Sequence, residues 1–274
     1  MTSQNAARQF SDLHQPGSPL ILPNAWDAAS AALIATAGAP AIATSSAAVA
    51  WALGRPDGQH LTRADVAAVV ARVAAVVDLP VSADIEAGYG DEPDEVALTV
   101  RAVIEAGAVG INLEDAHGNG ELFPIEQQAA RIAAARAAAT AAGVESFVIN
   151  ARTDIYLRGI GEPEGRSAAV LQRAAAYAEA NATCLFVPGL TDVPTLTDLV
   201  KQAPLPVSAM ADPSGPAISE LAATGVCRIS LGTTLAEAAY GQAVKAAREL
   251  LGPGTYTALQ GYEGFGRVNA SFRP

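Results

Sequence analysis

Cysteine and histidine are scarce in this sequence, with two and three residues respectively in 274. Cys184 and Cys227 lack C-x-x-C spacing and the histidines are scattered, so the chain offers neither a disulfide framework nor a zinc-binding pattern. Long apolar runs are missing too. The hydrophobic half of the composition is mostly Ala and Val, broken by Gly, Pro and charge, and no run approaches the roughly 20 residues that span a bilayer. Charge is sparse and of the wrong sign for polyanions: 17 Lys and Arg stand against 28 Asp and Glu, a formal net charge of −11. The basic residues are dispersed, which excludes a nucleic-acid or anionic-membrane partner and leaves a small molecule as the expected one. The opening MTSQNAARQFSDLHQPGSP has no basic start and no apolar centre, so a cytoplasmic location is expected. No G-x-G-x-x-G follows the first predicted strand, which argues against an open dinucleotide-binding sheet.

What is present is an alternation. Short β-branched runs predict strands over 20–23, 41–44, 81–84, 109–113, 147–151, 184–187, 207–209 and 228–231. Ala-rich stretches predict helices over 26–37, 62–77, 93–106, 125–142, 165–180, 192–202, 216–223 and 233–250. Thr62 and the Thr191-Asp192 pair are placed as N-caps, and Gly107 and Gly143 stand where helices should stop. Eight βα units in a chain of this length predict an α/β fold, a (β/α)8 TIM-type barrel. No linker or composition shift divides it, so one domain over 1–274 is expected, with 252–274 as a C-terminal extension.

In a barrel of this kind the C-terminal strand ends carry the chemistry. The third unit, LPVSADIEAGYGD, puts Asp84 and Glu86 one residue apart. If the strand continues, both face the same way, and two such carboxylates need a proton or a hard cation between them. Glu114, in GINLEDAHG, shares parity with Asn112 and should point inward, whereas Asp115 should point away or begin the loop. In NARTDIYLRG, Asn150 and Arg152 alternate at the strand end, and Arg152 offers a planar fork for an anionic substrate or a counter-charge for the acids. Small residues around Ser45, Ser46 and Ala47 allow backbone amides to approach a ligand, although they also suit a tight turn. Asp57, in Gly-Arg-Pro-Asp-Gly, fits an Asx turn.

Taken together, LPNAWD, ATSSAAVA-x-x-LG-x-x-DG, SADIEAGYG, GINLEDAHG and NARTD, in this order and spacing, resemble the isocitrate lyase/phosphoenolpyruvate mutase superfamily over nearly the whole chain. The resemblance implies a modified barrel, with its last helix exchanged between subunits of a homodimer or homotetramer. It also implies Mg2+, with Mn2+ as the substitute, held chiefly by Asp84, with Glu86 and Glu114 completing the surroundings and Asp57 near the water shell. Ser45, Ser46 and Ala47 match the segment that holds the substrate carboxylate, and Asn150 and Arg152 match the strand end facing the reacting group. The implied activity passes through the enolate of a small anionic 2-oxo acid while a C–C or P–C bond is broken or rearranged. Oxaloacetate decarboxylase-, phosphonopyruvate hydrolase- and phosphonomutase-like reactions all fit. Glu86 departs from the Asp often found there. The loop Ala116–Pro124 lacks the Lys-Lys/Arg-Cys-Gly-His of the lyases, which makes a 2-methylisocitrate lyase-like reaction the alternative; His117 or Glu121 could take over the proton transfer. A third reading is a catalytically inactive barrel with a binding role.

Overall fold

The computed structural model describes residues 3–117 and 120–272. After helix α1 (Ser3–Asp12) come β1 (Leu20–Leu22), β2 (Asn24–Ala25), α2 (Ala28–Thr36), β3 (Ile42–Thr44), α3 (Ser46–Ala52), α4 (Arg63–Val76) and β4 (Val81–Asp84). They are followed by α5 (Pro93–Glu105), β5 (Gly110–Glu114), α6 (Ile125–Ala141), β6 (Val148–Arg152), α7 (Arg166–Glu179) and β7 (Cys184–Phe186). The chain continues with α8 (Val193–Gln202), β8 (Val207–Met210), α9 (Ile218–Ala223), β9 (Arg228–Ser230), α10 (Thr234–Leu251) and α11 (Phe265–Ala270), with 3-10 turns at Pro163–Gly165 and Thr257–Leu259.

The nine strands are parallel and ordered β1-β9-β8-β7-β6-β5-β4-β3-β2, a nearly closed barrel with helices between strands. Sequence reading expects eight strands, and the ninth has a simple origin. Pro23 lacks the N–H that a continuous ladder needs, so the first strand is cut in two. Leu20–Leu22 pairs with Arg228–Ser230 on one side, while Asn24 and Ala25 pair with Ala43 and Thr44 on the other. Asn24 spans this seam. Its Nδ2 donates to the Thr44 carbonyl (3.0 Å), and its Oδ1 accepts from the amides of Leu231 (3.0 Å) and Gly232 (2.9 Å).

Local signals explain the helix boundaries. Thr62 and Asp65 form a reciprocal capping box on α4, and Asp192 accepts from the Thr195 amide to start α8. Gly107, at φ +105°, lets the chain turn sharply after α5. The Val, Ile, Leu and Ala side chains between sheet and helices form the main core.

The barrel interior is more polar. Asn112, Asn150 and Ser208 are buried and linked in series: Asn150 Nδ2 donates to Asn112 Oδ1 and Ser208 Oγ to Asn150 Oδ1, both at 2.9 Å. Cys184 and Cys227 are fully buried free thiols with sulfurs 3.9 Å apart. Beside them Arg228 is buried, with none of its three guanidinium nitrogens bonded to a described residue. Phe10 of α1 packs against Gly110 at the start of β5, where an added Cβ would lie only 2.8 Å from its ring. No helix among the described residues is long and apolar enough to cross a membrane.

Candidate active site

A cavity of about 200 Å3 opens at the C-terminal ends of the strands. On one side stand Ser45, Ser46 and Ala47, which lead into the first turn of α3, with Asp57 at the rim and Asp84 at the end of β4. Asn112 and Arg152 come from β5 and β6, and Asn24, Ser230 and Thr233 line the seam side. The remaining wall is apolar: Leu157, Phe186, Pro188 and Met210.

Asp84 is held rigidly. Its Oδ2 accepts from the Ser46 amide (3.2 Å) and hydroxyl (2.9 Å), its Oδ1 accepts from the Glu86 amide (3.3 Å), and its own amide donates to Thr44 Oγ1 (2.9 Å). The period-two expectation for Glu86 fails at this point, because β4 ends at Asp84 and Glu86 takes a left-handed conformation, φ +50°. That conformation is costly for a non-glycine residue and persists only where the surroundings enforce it. Here they do. The Glu86 carboxylate accepts from the Gln59 amide and from the Tyr89 hydroxyl (2.9 Å). Buried Arg131 of α6 fastens the following loop by donating to the carbonyls of Ala87, Gly90 (2.8 Å) and Asp91. Burial pushes the Glu86 carboxyl above its usual range against the pull of these donors, and Asp84 and Asp57 add to the rise. Asp57 is raised by partial desolvation and by Asp84.

Glu114 faces inward as its parity requires, but its carboxylate is engaged by Arg152, Nη1 to Oε2 at 2.8 Å. Burial raises Glu114, and Arg152 opposes the rise. The same guanidinium grips Asp154, Nε to Oδ1 at 2.6 Å and Nη2 to Oδ2 at 3.0 Å. Arg152 therefore balances two acids and still faces the cavity. Asn150 sits one inward position below it, in the buried amide series. His117 lies apart from the cavity lining: its ring stacks on Phe123 with centroids 3.6 Å apart, and its Nδ1 is 3.8 Å from Asp91. The middle of its loop, Gly118 and Asn119, lies outside the described residues. Among the described residues no three His, Cys, Asp or Glu side chains cluster tightly enough to enclose a metal ion unaided.

Sequence reading missed Asn24, whose seam role rests on partners about 20 and 207 residues away. It also missed Gln59 and Tyr89, and the apolar wall, which sits on three different strand ends. Asn24 did carry a local signal, a polar residue just after a proline in a strand.

The nearly closed parallel barrel brings acids and one guanidinium together at its C-terminal mouth, the end at which barrel enzymes place their sites. The family model for phosphoenolpyruvate phosphomutase matches residues 10–251, and the chain belongs to that family, within the isocitrate lyase/phosphoenolpyruvate mutase superfamily. Its relatives include the 2-methylisocitrate lyase of Escherichia coli K12, 34% identical over 216 residues covering 72% of this chain and 70% of that protein. A crystal structure of a Burkholderia cenocepacia J2315 protein assigned as a phosphonomutase is 43% identical, with a TM-score of 0.85 over 93% of this chain and 100% of that one. Phosphonopyruvate hydrolase in complex with oxalate and Mg++ shares the fold at a TM-score of 0.83 and 24% identity, covering 99% and 95% of the two chains. The chain is thus an enzyme of the lyase and phosphonomutase kind.

Proposed function

We propose that the protein is a Mg2+-dependent enzyme that acts on a small 2-oxo acid through its enolate, breaking or rearranging a bond at the carbon next to the carbonyl. The observation that carries this reading is the immobilised Asp84 carboxylate in a cavity that also presents Asp57 and Arg152. The donor set fits the ion. It is all oxygen, and a single fixed carboxylate with no enclosing cage suits Mg2+, which keeps several waters and binds through one or two carboxylates plus substrate. Asp84 would be its main anchor, with Glu86, Glu114 and Asp57 reached through water. When bound, Mg2+ supplies stabilisation of negative charge as it develops on oxygen.

The rest of the work is assigned to the chain's own groups. Ser45, Ser46 and Ala47 hold the substrate carboxylate. Arg152, oriented by Glu114 and Asp154, presents its free N–H groups to the reacting end. Asn150, through Asn112, braces the floor. Asp57 exchanges the proton at the rim. We assign the activity to a single unit spanning the chain, acting in the cytoplasm as a homodimer or homotetramer. The lyase alternative is weakened by the loop 116–124, which carries no Cys, Lys or Arg.

Calorimetric titration with Mg2+ and then oxalate, an enolate mimic, tests the reading. Mg2+-dependent oxalate binding with turnover of at least one 2-oxo acid is expected, beside negligible cleavage of 2-methylisocitrate. Failure to bind either ligand would favour a non-catalytic barrel. Cleavage of 2-methylisocitrate at about 1 per second or more, usual for an enzyme, would promote the lyase reading.

A further inference from the structure

We infer that the site selects its substrate by a short uncharged alkyl group on the carbon beyond the carbonyl, and rejects a phosphonate in that position. The inference rests on the proposed 2-oxo acid reading and narrows the substituent that such an acid carries.

Three observations carry it. The first is size: at about 200 Å3 the cavity falls below the roughly 300 Å3 at which pockets for larger ligands begin. The second is charge. Among the described residues that line it, Arg152 is the one cation, facing two acids, Asp57 and Asp84. Three of the guanidinium's N–H groups already serve Glu114 and Asp154, and a guanidinium has five. The remainder form a two-pronged contact that suits one planar carboxylate and leave the third oxygen of a tetrahedral phosphonate without a donor from this guanidinium. Arg158 does not line the cavity, its Nε is bonded to Asp154 Oδ2 at 3.0 Å, and its charge acts on Asp57 less than that of Arg152. The loop 116–124 contains no Lys or Arg. The third is the wall opposite the serines. Leu157, Phe186, Pro188 and Met210 offer no hydrogen-bonding side chain except the weak thioether acceptor of Met210. An anion pressed against that wall would lose its hydration and gain no partner, whereas an alkyl group there is removed from water at a gain.

This wall is not legible in the sequence. Leu157 lies beyond β6, Phe186 and Pro188 lie at and beyond the end of β7, and Met210 ends β8. Each alone reads as ordinary core. Their convergence on the acid-lined side of the barrel is a product of strand order.

The test is a binding series on the intact protein with saturating Mg2+: oxalate, pyruvate, 2-oxobutyrate, 3-methyl-2-oxobutyrate and phosphonopyruvate, each by competition against oxalate. The expected result is about threefold to fourfold tighter binding per added carbon along the oxo-acid series, with phosphonopyruvate weaker than 2-oxobutyrate. In Leu157→Ala and Met210→Gln the gain per carbon, measured against pyruvate within the same variant, should shrink toward unity. A flat or falling oxo-acid series, or phosphonopyruvate as the tightest of the set, overturns the inference while leaving the 2-oxo acid reading standing. Absence of Mg2+-dependent binding by oxalate and pyruvate alike removes both together.

Discussion

Glu114 and Asp115 are neighbours in sequence, both buried and both pushed upward in pKa by that burial, yet they belong to different parts of the machine. Glu114 points into the mouth and shares a single guanidinium with Asp154, in company with Asp57, Asp84 and Glu86. Asp115 points outward into a cage. Its Oδ2 meets Arg173 Nη1 at 3.1 Å and the Tyr177 hydroxyl at 2.8 Å, and its Oδ1 accepts from the Asp154 amide at 3.0 Å. Every oxygen on that side is engaged by the fold itself. The inward acids outnumber the cations beside them, and in the proposed site a hard cation would make up the deficit. The contrast separates a carboxylate that the fold alone occupies from one that, in the proposed site, faces the chemistry.

The most severe test of this contrast is Asp84→Ala, which should cut turnover by about a thousandfold or more, since it removes the main anchor for charge stabilisation at oxygen. Its melting temperature should stay near the parent's, because the loss of one repelling acid offsets the Ser46 amide and hydroxyl and the Glu86 amide left without their acceptor. Near-normal rates at saturating Mg2+ would mean the acidic group has been misassigned. Asp115→Ala should do the opposite, costing about 3–5 kcal/mol of stability by leaving Arg173 buried without its partner. Urea unfolding measures it, and a loss below about 1 kcal/mol would place Asp115 outside the structural class.

Acid sensitivity offers a test far from both acids. His14, against Phe10, donates from Nδ1 to the Phe10 carbonyl at 2.8 Å, and burial and the Arg228 guanidinium lower its pKa to about 4. The unfolded chain takes up this proton near pH 6.5 and the folded chain only near pH 4, so the associated stability is present above about 6.5 and lost as pH falls toward 4. The shift corresponds to about 3 kcal/mol. Between pH 7 and 4 denaturant melts should therefore show the parent losing about 3 kcal/mol relative to His14→Leu. Parallel curves would remove His14 from the account. Smaller still, Arg152→Lys should lower kcat/KM about a hundredfold, some 2.7 kcal/mol, because a point charge cannot reproduce a fork shared among Glu114, Asp154 and a ligand. Kinetics within a few-fold of the parent would reduce Arg152 to a counter-charge.

Much of this architecture was legible beforehand. The β-branched runs marked the strands because a parallel sheet covered by helices needs continuous apolar segments. Helix α3 escaped notice because its seven residues directly follow β3 and have no side-chain cap bond. Asp84 and Glu114 were readable from parity inside a strand, whereas Glu86 was not, because alternation says nothing once the strand has ended. The Asp115 cage was invisible for another reason: Arg173 and Tyr177 lie about 60 residues away, on a helix whose facing depends on the packing of the whole ring. His117 reads as a polar loop residue open to proton transfer, and in the structure its ring stacks on Phe123.

The split first strand has one further consequence, in the order of events during synthesis. Leu20–Leu22 must wait for Arg228–Ser230 before its ladder exists, and Asn24 cannot receive the Leu231 and Gly232 amides until the same moment. Every other adjacent pair can form as the chain emerges. Closure across so long a stretch is slow, so a nearly complete sheet with two bare edges should persist until the final βα unit arrives. A ribosome stalled short of residue 228 would hold an open ribbon vulnerable to edge pairing, and the passage to a closed ring would come in one late step.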